Sequence, residues 1–189
     1  MMNSNYQEYF EYLTNRSRIG LFYRNFWLYP RLCDHLAGRV LDVGCGIGDF
    51  VKFRKQTTGT DINPETVKFC KRQGLDVVQM DIDRLPFSSG EFDGVLLDNV
   101  LEHIKSPKSL IEEVYRVLKP SGTFLIGVPG RKGYTKDPDH KVFYDQKKLV
   151  EIISAYGFTS KTVFYMPLKS AILDVHLAQF CLYAKFTRD

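Results

Sequence analysis

A chain of 189 residues with 44% hydrophobic and 25% charged side chains has the balance of one globular domain with a full core. Its net charge of +4 is too mild to argue for nucleic acid as a partner, and no run of about 18 apolar residues is present to form an integral membrane segment. The start, Met1 to Glu8, has neither a basic cluster nor an apolar stretch, so no secretory signal is expected. Four scattered cysteines without a Cys-x-x-Cys pair predict reduced thiols, a cytoplasmic setting and no metal site.

The first forty residues read as helical. Tyr6, Tyr9, Phe10 and Leu13 recur at helical spacing and share one face. A second helix is expected over Leu21–Leu28, ending near Tyr29 because a proline restricts the residue before it. Pro30 then opens a third, closed by Gly38. This segment, 1–38, is expected to form a helical lid, and 39–189 the main domain of one compact unit.

From Arg39 onward strands and helices alternate. Strands are expected at 40–43, 57–61, 76–80, 92–97 and 123–128, and helices at 48–55, 64–73, 107–118 and 146–156. Pro64 after Asn63 and Pro107 after Ser106 mark helix starts, and Gly74 and Gly157 mark ends. Arg131 to Lys136 reads as a basic loop. Two further strands, 158–165 and 180–186, flank a segment with helical character. The pattern predicts an α/β, Rossmann-like, doubly wound and mostly parallel seven-stranded sheet with an antiparallel edge strand and an N-terminal helical lid.

The chemistry concentrates at the carboxyl ends of the strands, where open α/β sheets bind ligands. The first strand runs into Gly44-Cys45-Gly46-Ile47-Gly48, a turn that bends sharply and brings a ligand against bare backbone, and the helix that follows is expected to offer unpaired N–H groups. Asp42 ends that strand, Asp61 the second, 19 residues further on (61 − 42), and Asp81 follows the third. Asp61 is placed to accept from both hydroxyls of a ribose, and Asp81 from an exocyclic amine of adenine, with the Ile82 N–H on a ring nitrogen and its side chain on the ring. A lone aspartate at a strand end is usually a cap or turn former; three behind a glycine turn are not explained that way. The glycine spacing is G-x-G-x-G rather than G-x-G-x-x-G, and Asp49 follows it, where its charge would repel a pyrophosphate. A cofactor without phosphates, carrying an ammonium near Asp42, fits better than a nicotinamide dinucleotide.

Six segments in order then resemble the class I S-adenosylmethionine-dependent methyltransferases of the broad small-molecule group: Val40 to Gly48, Thr60 to Asn63, Met80 to Phe87, Phe92 to Val95, Asn99 to Ile104 and Glu113 to Thr123. The resemblance covers about half of the chain, 40–129. It implies S-adenosyl-L-methionine as cofactor, with Gly44, Cys45, Gly46 and Gly48 around the methionine moiety and Asp42 at its ammonium. Asp61, Ile62 and Asn63 would meet the ribose, Asp81 and Ile82 the adenine, and Asn99 and Val100 the sulfonium side. Arg24, beside Tyr23, would pair with the methionine carboxylate. His103, and His140 in the segment before the last long helix, are the candidate bases; His35 and His176 receive no role.

The expected reaction is methyl transfer to an oxygen or nitrogen of a small molecule. Aromatic residues (Phe22, Tyr23, Phe26, Trp27, Tyr134, Tyr144) near Arg24, Arg131 and Lys132 suit a quinone or lipid precursor or a sugar-phosphate intermediate. A non-catalytic, cofactor-binding regulatory module and, more distantly, a nicotinamide-dependent oxidoreductase are the competing readings. A monomer or a homodimer is expected, with no nucleic acid partner.

Overall fold

The Val40–Val43 strand, β1, is buried at every position, as a strand covered on both faces must be. Alternate side chains serve opposite faces. Leu41 and Val43 enter one apolar core and Val40 enters another, and the same division recurs for Val95 and Leu97 against Leu96, and for Phe124 and Ile126 against Leu125. Two helical layers are therefore dictated by residues two apart along each strand.

The computed structural model describes residues 2–15, 17–82 and 84–189. Met1 and Arg16 of the expected helical segment and Asp83 of the expected adenine segment lie outside the described residues. In chain order the elements are α1 (Met2–Thr14), α2 (Arg18–Tyr23), a π-helical stretch (Arg24–Leu28), α3 (Tyr29–Cys33), β1, α4 (Asp49–Phe53), β2 (Thr57–Asp61), α5 (Pro64–Arg72) and β3 (Val77–Gln79). There follow β4 (Phe92–Asp98), a single 3₁₀ turn (Leu101–His103), α6 (Lys108–Val117), β5 (Leu118–Pro129), α7 (Arg131–Lys136), α8 (Gln146–Ser154), β6 (Phe158–Met166), α9 (Ala171–His176) and β7 (Cys181–Arg188).

The seven strands lie in the order β3-β2-β1-β4-β5-β7-β6. The first five are mutually parallel, and β7 runs antiparallel to both β5 and β6. The antiparallel strand thus falls at the expected end of the sheet, one place in from the rim. Chain order reverses at β1 and β4, and the crevice between their carboxyl ends is where such a sheet binds ligands.

One face of the sheet is covered by α6 and α8. Leu110, Ile111, Val114 and Val117 of α6 form a helical stripe against it, as do Leu149 and Ile153 of α8. The other face takes Leu28, Tyr29, Leu32 and Leu36. The later part of the expected lid segment is therefore sheet-packing core, while α1 lies against α5, with the Phe10 and Phe69 rings 5.6 Å apart.

Two local expectations need correction. The helix does not stop near Tyr29: the path is helical from Arg18 to Cys33, with a π-helical stretch in the middle. The Tyr29 N–H donates to the Arg24 carbonyl, five residues back. This wider turn places Pro30 in the first turn of α3, where a missing N–H leaves no hydrogen bond unmade. The basic stretch after β5 is not a loop but α7, held because the Arg131 N–H donates to Asp174 Oδ1 at 2.7 Å, across 43 residues of chain.

Among the described residues, no helix is long and apolar enough to cross a membrane.

Candidate functional site at the carboxyl ends of the strands

Gly44, Gly46 and Gly48 all take left-handed φ values, 73°, 55° and 78°. The turn they make is closed from β2. The Thr60 carbonyl accepts from both Gly44 N–H (2.8 Å) and Cys45 N–H (3.0 Å), and the Cys45 carbonyl accepts from Gly48 N–H (2.9 Å). Asp61 Oδ2 accepts from Gly46 N–H at 2.8 Å, and its Oδ1 accepts from Asn63 N–H at 2.8 Å. The chain itself occupies these glycine N–H groups, because the turn closes on itself and β2 ends directly alongside it. The turn contributes close approach, and Asp61 contributes the second lone pair on each oxygen.

Asp42 is buried at the end of β1, only 5% exposed. Burial, and then the negative charges of Asp98, Asp61 and Asp49, push its carboxyl well above the ordinary range. Burial likewise raises Asp61, against the lowering effect of the N–H bonds from Asn63 and Gly46. Arg24, in the π-helical stretch, approaches this group, its Nη1 lying 3.7 Å from Asp49 Oδ2. That Nη1 and the Tyr23 hydroxyl are buried without a hydrogen-bond partner among the described residues.

The acid-rich site predicts its own stability behaviour. Asp42 holds its proton to higher pH when folded than when unfolded, so its contribution to stability is complete below the unfolded value, near 3.8, and is lost as pH rises through the raised folded value. Asp42→Asn is expected to leave the melting temperature unchanged near pH 4 and to raise it by about 3 °C or more at pH 7, a gain of roughly 1 kcal/mol, in the ligand-free protein. Thermal melts at the two pH values check this; a variant less stable at pH 7 would show that the ionised Asp42 is already compensated.

Asn63 is committed to structure: its Oδ1 accepts from Glu65 N–H (2.9 Å), capping α5, and its Nδ2 donates to the Tyr6 carbonyl (2.9 Å). It thereby ties α1 to the rim of the crevice. Leu13 of α1, 1% exposed, reaches over the turn: a methyl built on Gly46 would lie 3.1 Å from Leu13 Cδ1. At the ends of β2 and beyond β3, Ile62 and Ile82 stand outward, 37% and 67% exposed, and Asp81 is exposed as well.

From β4, Asn99 adopts φ 56°, its Nδ2 donates to Asp98 Oδ1 (2.9 Å), and Val100 packs against the glycine turn. Asp98 Oδ1 also accepts from the Tyr183 hydroxyl at 2.8 Å. Sequence reasoning missed Asp98, whose partner on β7 is 85 residues away.

It also missed Glu102, between the Leu101 and His103 of the 3₁₀ turn. Glu102 is 1% exposed, and neither carboxylate oxygen has a hydrogen-bond partner among the described residues. Burial, then the negative charges of Asp98 and Asp137, push it up to about 8. The signal available in the sequence was a charged residue inside the apolar stretch Val100-Leu101-Glu102-His103-Ile104. The two candidate histidines come together here, their rings 4.6 Å apart and edge-on. His140 Nε2 lies 3.7 Å from Glu102 Oε1, and its Nδ1 is 2.9 Å from the Tyr134 carbonyl. Burial and then His140 hold His103 below its ordinary range.

The expected acceptor-facing aromatics divide. Tyr144 is buried and Tyr134 stacks on His140, whereas Phe22, Phe26 and Trp27 are more than half exposed on the outer surface.

The strand order and the reversal at β1 and β4 define a Rossmann-like methyltransferase fold. Residues 41–126 match the methyltransferase domain family. Among curated relatives, a probable S-adenosylmethionine-dependent methyltransferase of Mycolicibacterium smegmatis is 28% identical over 74% of this chain and 62% of its own length. A ubiquinone biosynthesis O-methyltransferase of Xanthomonas oryzae is 37% identical over 52% of this chain and 46% of its own. The chain spans less than two thirds of the length of the curated relatives it matches. The crystal structure of an S-adenosylmethionine-dependent methyltransferase from Thermotoga maritima superposes with a TM-score of 0.79 at 18% identity, covering 98% of this chain and 99% of that one.

Residues 41–126 thus match the methyltransferase domain family, and the fold is the Rossmann-like one of class I, S-adenosylmethionine-dependent methyltransferases. Methyltransferases of this class use S-adenosyl-L-methionine, and the side chains here fit it. Carboxylates that burial and mutual repulsion leave short of positive charge suit a ligand bearing an ammonium and a sulfonium. Arg24 Nη1 and the Tyr23 hydroxyl, buried without a hydrogen-bond partner among the described residues, suit the carboxylate of the same ligand.

Proposed function

We propose that this chain transfers a methyl group from S-adenosyl-L-methionine to an oxygen or nitrogen nucleophile of a small molecule. The observation that carries this reading is the pairing, in one crevice, of the anion-surrounded Asp42 with Arg24 Nη1 and the Tyr23 hydroxyl, buried atoms that have no hydrogen-bond partner among the described residues. Asp42 would hold the ammonium, Arg24 and Tyr23 the carboxylate, and Asp61 with Ile62 the ribose, while Ile82 and Asp81 would meet the adenine. The bare backbone of Gly44, Gly46 and Gly48, with Cys45 between them, would lie along the methionine, and Asn99 and Val100 would border the sulfonium. The cofactor supplies a methyl group whose sulfur departs as a neutral thioether.

The chain's share is positioning and proton removal. An acceptor held about 3–3.5 Å from the methyl carbon, in line with the breaking bond, gains much of its rate from position alone. A hydroxyl or ammonium acceptor must also lose its proton, and the Glu102–His103–His140 cluster is where that proton would leave. Residues 1–38 would act in two parts, α1 as a cover over the turn through Leu13 and Asn63, and Leu28 to Leu36 as part of the core.

A partly apolar acceptor, such as a quinone or lipid precursor, is favoured over a sugar phosphate. Its support is the ubiquinone named for the Xanthomonas relative. The four cysteines are unbridged, which supports a reducing, cytoplasmic setting.

Isothermal calorimetry is expected to give micromolar or tighter binding of both S-adenosylmethionine and S-adenosylhomocysteine. Labelled cofactor incubated with pooled quinone, phenol and fatty-acid acceptors is expected to label at least one of them. Absence of binding to either nucleoside would end the proposal. Tight binding without transfer to any acceptor would favour the non-catalytic module.

A further inference from the structure

The geometry points to a divalent metal site formed by Glu102, His103 and His140, adjoining the crevice for the methyl donor. One ligand atom from each of the three residues lies within 4.8 Å of the others. His140 Nε2 and Glu102 Oε1 are 3.7 Å apart. Two atoms each about 2.1 Å from a shared ion stand roughly 3.4 Å apart at a tetrahedral angle, so this pair needs only a small inward shift.

The tautomer is already set. His140 Nδ1 faces the Tyr134 carbonyl at 2.9 Å, and a carbonyl only accepts, so the proton of the neutral ring sits on Nδ1. The Nε2 lone pair is left facing Glu102. This is the arrangement in which metal-bound histidines are usually held, one ring nitrogen on the ion and the other donating to a carbonyl or carboxylate. The ring is further fixed by stacking on Tyr134.

The backbone holds the ligands in register. The 3₁₀ turn after β4 presents Glu102 and His103, and the Glu102 carbonyl accepts from Lys141 N–H (2.7 Å) and Val142 N–H (3.0 Å). The segment carrying His140 is thereby bolted to the residue that supplies the carboxylate. A plain hydrogen-bonded cluster does not account for Glu102, since both of its oxygens are buried without a hydrogen-bond partner among the described residues, a costly state if it persists. A cation between the carboxylate and the two imidazoles removes that cost.

Two nitrogens and one carboxylate oxygen suit a borderline first-row ion such as Zn²⁺, Mn²⁺, Fe²⁺ or Co²⁺ more than Mg²⁺ or Ca²⁺. Three protein ligands leave coordination positions open, and Val100, two residues before Glu102, packs on the glycine turn. Resting on the methyl-transfer reading, this site favours acceptors with two neighbouring oxygens, such as a catechol. Such a compound displaces water from the ion and has its hydroxyl proton affinity lowered by it. The ion, rather than a free imidazole, then prepares the nucleophile.

Protein stripped with EDTA and titrated with Zn²⁺ by calorimetry, and with Co²⁺ by visible absorption, tests the site without cofactor or acceptor. One ion per chain is expected, at micromolar or tighter affinity, with Co²⁺ giving intense ligand-field bands of a low-coordinate site. Glu102→Gln, His103→Asn and His140→Asn are each expected to weaken Zn²⁺ binding at least tenfold. His103 is half-buried, so its variant keeps the test available if either buried one fails to fold. No saturable binding at one equivalent overturns the inference, as does unchanged affinity in the folded variants, which would place the ion elsewhere. Because S-adenosylmethionine binding is measured separately, a chain that binds the nucleoside but no metal overturns this site alone. A chain that binds metal but no nucleoside overturns the methyl-transfer reading alone.

Discussion

Asp61→Ala is expected to weaken S-adenosylmethionine binding at least tenfold and to destabilise the protein by about 2–4 kcal/mol. Both effects come from one carboxylate. Its two oxygens accept from the Gly46 and Asn63 N–H groups at 2.8 Å each, in a position 6% exposed. Alanine leaves two buried donors without an acceptor, each losing a hydrogen bond to a charged group worth roughly 1.5–3 kcal/mol, and the burial cost of the carboxylate, which disappears with it, offsets part of the sum. The Gly46 end of the turn is then free to move relative to β2, and the same substitution removes the acceptor intended for the ribose. Loss of one charge-assisted bond of about 1.4 kcal/mol is already tenfold in affinity. Asp61→Asn separates the two roles: its amide oxygen retains one N–H bond, so stability should recover in part while affinity stays low. Urea denaturation and calorimetry on the three proteins decide the matter. An alanine variant that is unstable but binds as tightly as the parent would make Asp61 a clamp on the turn and nothing more.

Gly44→Ala is expected to cost about 2–4 kcal/mol and to abolish measurable cofactor binding at micromolar concentrations. Gly44 has φ 73°, where an L side chain is strained by roughly 1 kcal/mol or more. A Cβ there would also stand 2.5 Å from Val100 Cγ2, closer than any packed pair of carbons. Val100 must turn away, and Val100 borders the sulfonium side of the proposed site. The double variant Gly44→Ala with Val100→Ala removes the collision but not the backbone strain. It should regain part of the lost stability, giving a coupling of about 1 kcal/mol or more in a double-mutant cycle. Equal stability of Gly44→Ala and the parent protein would mean that the turn relaxes without penalty, and that Val100 does not fix its position.

The two positions differ in how far they could be read beforehand. Gly44 follows an apolar strand and begins a G-x-G-x-G turn, so its role in a tight bend was legible from neighbours within a few residues. So were the strands at 40–43, 57–61 and 92–97, because burial on both faces leaves short apolar or β-branched runs between turn residues. Asp61 was legible as a strand-end acid in the crevice, but its grip on the Gly46 N–H was not. That contact spans 15 residues and depends on how β2 registers beside β1. Register is set by pairing geometry, which periodicity in one strand does not encode.

The Glu102 cluster was read only by halves. His103 and His140 stood out as ionisable residues near expected loops, yet Glu102 looked like any acid on a turn. Only the fold shows it buried beneath the 137–142 segment, with Lys141 and Val142 bonded to its own carbonyl. The helix end expected near Tyr29 was misjudged for a related reason, although Pro30 does sit in the first turn of α3 as expected. The rule that proline ends a helix holds for i→i−4 bonding, and the π-helical stretch changes that bonding just before it.

Composition and local pattern by themselves determined that this chain builds an alternating α/β sheet, that its first strand ends in a glycine turn, and that acids stand at the ends of three strands. These follow from each residue's preferences and those of its near neighbours. Tertiary structure decided the rest: that β7 enters between β5 and β6, that Leu13 packs over Gly46, that the glycine N–H groups are already occupied, and that Glu102 is buried beside two histidines. Each depends on groups far apart in the chain meeting at a few ångströms. Whether a polar atom is solvated, bonded or left without a partner is then settled by what packs over it, which no local stretch of sequence records.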